Sequence, residues 1–235
     1  MILPDGPPVT PAPTSCHTAR RGGALPDMIV IHYTAMDGAE AALDRLCDPA
    51  FEVSAHYLIR DDGHIWQMVD EDQRAWHAGA GAWGGVTDVN SRSVGIELDN
   101  RGDAPFAEPQ MQALLALLPG IMARWNVPPE QVIGHSDMAP GRKIDPGPHF
   151  DWPRLAAKGL SIWPEGRAAP GDFISDTKAF GYVLPIACED PETLVLDAFR
   201  LRFRPFHTGP LDDTDRAIMA ELAARWPVDR GAQSA

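Results

Sequence analysis

Residues 27–33 read Asp-Met-Ile-Val-Ile-His-Tyr, apolar at every position from Met28 until a histidine ends the run. A strand with one wet face alternates, whereas one buried on both faces stays apolar, so this segment predicts a central strand of a covered sheet. Ala39, Ala42, Leu43 and Leu46 follow at helical spacing within residues 38–48. Residues 56–59 and 64–69 are two β-rich runs joined through Asp61-Asp62-Gly63, which predicts a hairpin. Residues 93–98 predict another strand. From Pro109, suited to a first helical turn, Leu114, Leu115, Leu118, Met122 and Trp125 mark an apolar stripe that Pro119 should kink. Residues 131–133 form a short strand, and Asp151 caps a helix that Gly159 stops. Strands alternating with helices predict an α/β domain over residues 27–164, with a mixed central sheet flanked by helices.

The flanks differ. Residues 1–26 are rich in Pro and Gly without periodicity, and are expected to form an extended arm lying on the body or hanging from it. Residues 165–171 read as a linker. Beyond them, Asp190-Pro191-Glu192 starts a helix carrying Leu194, Ala198, Phe199 and Phe203. Asp212-Asp213-Thr214 starts another, carrying Ile218, Met219, Leu222 and Trp226, which Pro227 closes. Residues 172–230 are thus expected to form a small C-terminal helical domain. At about 60 residues it is marginal alone and should lean on its neighbour.

Composition narrows the classes. A formal charge of −13 over 235 residues argues against nucleic acid or an anionic membrane as partner. No apolar run approaches the length of a membrane span. Cys16, Cys47 and Cys188 are odd in number and lack C-x-x-C spacing, so neither a disulfide framework nor a cysteine zinc site is expected. Residues 1–5 lack the basic and apolar regions of an export signal, and Cys16 follows Pro13-Thr14-Ser15 rather than an apolar stretch. The expectation is a cytoplasmic protein.

The chemistry concentrates in residues 134–148, where Pro and Gly exclude regular structure yet a His, two Asp and a Lys are packed together. His32 and His135 each stand at the exit of an apolar strand, and Asp145 can fold back across the loop. Two imidazoles and one carboxylate with an open fourth position make a catalytic zinc arrangement. Asp137 is the rival carboxylate, which could instead cap the loop through an Asx-turn. Glu97, inside an apolar strand, is expected to act as a general base with burial-raised proton affinity. Lys143 is expected to steady an oxyanion. The long segment 73–93, with Trp76, His77 and Trp83, is expected to be functional rather than a spacer.

Several segments in order carry a family resemblance: residues 29–34 with His32, 53–59 with His56, 75–79 with Trp76 and His77, Asn90 with 93–97, and 135–148. Together they resemble the zinc-dependent N-acetylmuramoyl-L-alanine amidases of the type 2 class, related to phage lysozyme-like amidases and animal peptidoglycan recognition proteins. The resemblance implies one zinc ion on His32, His135 and Asp145, with Glu97 and Lys143 as catalytic partners and Asp137 in support. It places His77 and Trp83 in a substrate cleft, with Tyr33, His56, Asn90 and Arg142 as further candidates for substrate contact. The phage-type branch carries a catalytic tyrosine where this chain has Ala55, and the branch without it uses the glutamate matching Glu97. Residues 172–230 look like the peptidoglycan-binding-like module of some relatives, or else a domain that only buttresses the catalytic one. The implied reaction is cleavage of the amide between N-acetylmuramic acid, or its 1,6-anhydro form, and L-alanine of the stem peptide. The implied partners are muropeptides in cell-wall recycling. A binder without activity and an amidase acting on polymeric wall are the alternatives.

Overall fold

The computed structural model describes residues 6–186 and 188–228. Residues 1–5, Ala187 and 229–235 lie outside the described residues, and with them the start of the expected arm and the last two positions of the expected C-terminal domain. The apolar run becomes β3 (Met28–Tyr33), which pairs in parallel with β7 (Ser93–Leu98) on one side and β8 (Val132–Gly134) on the other. β7 pairs in parallel with β4 (Tyr57–Ile59), which turns through Gly63 at φ +90° into antiparallel β5 (Ile65–Gln67). The sheet is therefore mixed, as the alternation of elements predicts, in the order β1-β5-β4-β7-β3-β8, where β1 is Thr10–Pro11.

Side chains alternate across a strand, so the two faces of β3 meet different partners. Ile29 and Ile31, with Val94, Ile96 and Leu98 of β7, pack on α3 (Glu108–Trp125). Leu114 and Leu118 of the expected stripe are buried there, joined by Met111, Leu117 and Ile121, while Leu115, Met122 and Trp125 are half-buried. α3 runs without interruption through Pro119, which lies exposed. On that side water can take up the carbonyl bond a proline releases, which removes the reason for the helix to stop.

The opposite face carries Met28, Val30 and Ile133, covered by α6 (Phe173–Phe180), α7 (Pro191–Phe203) and α8 (Asp213–Arg225). Phe173, Phe180, Phe199, Phe203 and Leu222 belong to the same buried cluster as the strand residues. Asp190 and Asp212 cap α7 and α8 where the sequence places the helix starts. α6 was not anticipated; its signals were Asp172, which caps it, and Gly181, which ends it.

The N-terminal segment lies on the body. β1 (Thr10–Pro11) adds to β5, and β2 (His17–Ala19) pairs with β6 (Gln73–Ala75). Arg20 is buried and donates to the carbonyls of Glu71, Asn90 and Ser93. These acceptors make its burial tolerable. Segment 73–93 thus contains β6 and the short α2 (Val89–Arg92) rather than loop alone. Among the described residues no helix is long and apolar enough to cross a membrane.

Candidate active site and metal centre

Parallel strands deliver their carboxyl ends to one edge of the sheet, where loops build sites. His32 is near the end of β3, and His135 opens the one-turn α4 (His135–Met138) directly after β8. The loop beyond α4 folds back as expected: the amide of Ser136 donates to the carbonyl of Asp145 (2.9 Å). Gly134 is required for that return, since a Cβ there would lie 2.8 Å from Cδ of Pro146.

His32 Nδ1 lies 2.9 Å from His135 Nδ1 and 2.9 Å from Asp145 Oδ2, and His135 Nδ1 lies 3.0 Å from the same oxygen. All three residues are buried. His135 Nε2 is 2.8 Å from the carbonyl of Ala78, which can only accept. The proton therefore sits on Nε2, and Nδ1 presents a lone pair to the cluster. Burial, then the neighbouring His135, pushes the His32 pKa down to about 4. Burial favours the neutral form of Asp145, but hydrogen bonding to His135 and His32 outweighs it and keeps the carboxylate below its usual range. Electron-rich atoms this close form a donor set that fits a divalent cation. A second grouping, His207, Asp212 and Asp215, lacks that character, because Arg200 and Arg204 already donate to Asp215.

Parallel register places His32 of β3 directly beside Glu97 of β7, on the same face of the sheet. Glu97 Oε2 has no hydrogen-bond partner among the described residues. Burial, reinforced by the negative charge of Asp145 and opposed by Lys143, raises the Glu97 pKa to about 8. His32, Glu97, His135, Lys143 and Asp145 line one cavity of about 540 Å³. An adjoining cavity of about 430 Å³ shares His77, His135, Arg142 and Lys143 with it and extends to Arg74 and Asn90.

The remaining sequence candidates separate by position. Tyr33 walls the first cavity, and Arg142 lies at the rim of both, donating to the carbonyl of Ala78 (2.6 Å). Asn90 borders the second cavity while its Oδ1 accepts from the amides of His77 (3.0 Å) and Ala78 (2.8 Å). His77 lines both, with its ring between His32 and Ser93. Two candidates lie elsewhere. His56 is fully buried, its Nδ1 accepting from the amide of Gly95 and its Nε2 donating to the carbonyl of Gln73. Trp83 is buried against Phe180 and Tyr182, with ring centroids at 5.4 and 5.0 Å. Both are packed away from the cavities because core partners claim them. Conversely, Met36, Arg45, Leu46 and Val53 line the first cavity and were not singled out as site residues. Of these only Arg45 and Leu46 lie on α1 (Ala39–Cys47), and Leu46 belongs to the apolar face that read as core.

Asp137 points to other partners. Its Oδ2 accepts from the amide of Gly134 (2.8 Å) and from Arg202 Nη1 (2.8 Å), and its Oδ1 from the Tyr182 hydroxyl (2.5 Å). Arg202 also donates to the carbonyl of Val132 and stacks 4.3 Å from the Trp152 ring centroid. Thus α7 reaches through the core to the base of the metal-site loop. The sequence signal for Arg202 was a charge in α7 directly beside Phe203, where a buried face calls for apolar residues.

Residues 22–148 match the family described as N-acetylmuramoyl-L-alanine amidase. N-acetylmuramoyl-L-alanine amidase AmiD of Escherichia coli K12 is 40% identical over 234 residues, 86% of this chain and 84% of AmiD. The 1,6-anhydro-N-acetylmuramyl-L-alanine amidase AmpD of Enterobacter cloacae is 34% identical over 162 residues, 62% of this chain and 87% of AmpD. Among solved structures, E. coli AmiD in complex with the substrate anhydro-N-acetylmuramic acid-L-Ala-D-γ-Glu-L-Lys aligns with TM-score 0.78 at 38% identity, covering 86% of this chain and 90% of that one. AMPDH3 of Pseudomonas aeruginosa aligns with TM-score 0.79 at 31% identity, covering 89% and 95%. The meeting of His32, His135 and Asp145, the glutamate in register with them and these likenesses agree: the chain belongs to the N-acetylmuramoyl-L-alanine amidase family.

Proposed function

We propose that this enzyme hydrolyses the amide between N-acetylmuramic acid, in particular its 1,6-anhydro form, and L-alanine of the stem peptide, with one zinc ion held by His32, His135 and Asp145. The observation that carries the reading is the meeting of two imidazole nitrogens and a carboxylate oxygen within 3.0 Å of one another, beside a glutamate with raised proton affinity. The anhydro-muramyl peptides bound to AmiD and AMPDH3 support the substrate class.

When bound, zinc polarises the scissile carbonyl and acidifies water, drawing its pKa from about 15.7 toward roughly 7. Glu97 accepts the proton of the attacking water as the new C–O bond forms, then returns it to the alanine nitrogen as the C–N bond breaks. A carboxylate with raised proton affinity suits both steps. Lys143 offers an ammonium group to the oxyanion of the tetrahedral intermediate. Tyr33, Arg142 and the His77–Ala78 backbone held by Asn90 shape the walls against which sugar and peptide are oriented. We take the C-terminal helices as a buttress of the metal-site loop, a reading supported by the hydrogen bonds of Arg202 and Tyr182 to Asp137.

The test is metal analysis of the purified protein, followed by mass spectrometry of products from an anhydro-muramyl tripeptide and from intact sacculi. Release of the free peptide with an L-alanine amino terminus is expected. Cleavage within the peptide, or no cleavage by the zinc-loaded protein, refutes the reading. Cell fractionation decides between the cytoplasm expected from the N-terminal sequence and an exported location.

A further inference from the structure

The side of His32 that faces away from the metal centre makes a chain of contacts that the proposed reaction does not use. His32 Nε2 lies 3.0 Å from His77 Nδ1, and His77 Nε2 lies 3.2 Å from the Ser93 hydroxyl. Ser93 Oγ in turn lies 2.6 Å from the carbonyl of Val89. Two oxygens that close require a proton between them, and a carbonyl has none to give. The single hydroxyl proton of Ser93 is therefore committed to Val89, and Ser93 can only accept from His77. That places the His77 proton on Nε2 and leaves Nδ1 with a lone pair, which accepts from His32 Nε2–H. His32 Nδ1 is then bare and directed at His135 and Asp145.

A competing pull exists. Asp145 Oδ2, 2.9 Å from His32 Nδ1, would attract a proton to that nitrogen. With the proton there, His77 would have to reverse its own tautomer and bring a bare Nε2 against the committed oxygen of Ser93. A buried hydrogen bond would be lost and two lone pairs left facing each other, which the burial of His77 and Ser93 penalises. The surroundings hold the chain in place independently. Asn90 Oδ1 accepts from the amides of His77 and Ala78, fixing the backbone that carries the ring. Gly95 leaves room for the ring, because a Cβ there would lie 2.4 Å from His77 Cγ.

We propose that Ser93 and His77 are positioning residues that fix the tautomer of His32 and so preset its Nδ1 as a metal ligand. This inference rests on the zinc-binding reading above. In this role His77 acts through His32, whose Nε2 it meets at 3.0 Å. Removing a partner of this kind weakens metal binding by roughly 10- to 100-fold.

The test combines two measurements. Zinc affinity of the wild type, Ser93→Ala and Ser93→Thr is read by chelator competition, with the melting temperature of each metal-free protein taken alongside. Ser93→Ala is expected to lose about 10- to 100-fold in affinity, and Ser93→Thr, which keeps the hydroxyl, to recover most of it. Imidazole ¹⁵N shifts of the metal-free wild type are expected to show protonated Nε2 and bare Nδ1 on both His32 and His77. An affinity for Ser93→Ala within about twofold of wild type, well short of the expected loss, overturns the relay, as does a proton on Nδ1 of either ring. If Ser93→Ala does not fold, the ¹⁵N shifts of the wild type decide alone. Failure of the wild type to bind zinc would instead remove the metal reading itself, an outcome distinct from a wild type that binds and a variant that is unaffected.

Discussion

Replacing Glu97 by Gln should move stability and activity in opposite directions, and the stability arm needs no substrate. In the folded chain the Glu97 pKa is raised from 4.5 to about 8, chiefly by burial and then by Asp145. Each tenfold change in proton affinity between the folded and unfolded chains is worth about 1.4 kcal/mol, so ionised Glu97 costs the metal-free fold on the order of 4–5 kcal/mol. The sign follows from proton counts. Near pH 4 the carboxyl is protonated in the folded chain and largely so in the unfolded one, and Gln should resemble Glu. Between about 4.5 and 8 the unfolded chain has released the proton and the folded one has not, so stability falls as pH rises. Above about 8 the loss is complete. Gln carries no charge and escapes the penalty. At a stabilisation of roughly 2–4 °C per kcal/mol for a chain of this size, metal-free Glu97→Gln should melt on the order of 10 °C above wild type at about pH 8.5. The assay is calorimetry in chelator at about pH 4, 6 and 8.5, which brackets the two proton affinities. The zinc-loaded variant should meanwhile lose about 10²–10⁴-fold in turnover while keeping its metal. A melting difference that does not grow with pH would refute the burial argument, and undiminished turnover would remove Glu97 from the reaction.

Other outcomes follow from the same geometry. Asp145→Asn should abolish tight zinc binding, so that wild type but not variant gains melting temperature on adding zinc, a gain set by mass action. Lys143→Ala should keep its zinc, measured by metal analysis, and lose about 10²–10³-fold in kcat, as for other groups that steady an oxyanion. Arg202→Ala strands the buried Asp137 carboxylate and should cost about 3–5 kcal/mol in denaturant titration. Adding Asp137→Asn to that variant should recover part of the loss, and strict additivity of the two changes would show that the pair is not coupled.

Local rules were enough wherever the answer depends on neighbours along the chain. The unbroken apolar run fixes β3 as a covered strand, Asp190 and Asp212 mark helix starts, and the turn with Gly63 closes its hairpin, because period and capping are properties of a few consecutive residues. That His32, His135 and Asp145 are candidates to meet at one centre was legible for a related reason. His32, His135 and Asp145 stand at strand exits and in a Pro/Gly loop, where no core role competes for them.

Proximity in space was not legible. His56 stands in a family segment as His77 does, and the resemblance places Trp83 in the cleft with His77, yet the fold buries the first under Arg20 and Gln73 and the second against Phe180 and Tyr182. The N-terminal arm shows no period because its order comes from pairing with β5 and β6 and from the buried Arg20 rather than from its own sequence. The contacts from Arg202 to Asp137, and from Ser93 through His77 to His32, each join elements distant in the chain. Sequence by itself thus determined the strands and helices that carry their own period or cap, and narrowed the side chains that could do chemistry to a set of candidates. Only the tertiary structure decided which of those side chains share a cavity, because register, sheet order and hydrogen-bond direction exist only once distant segments have met.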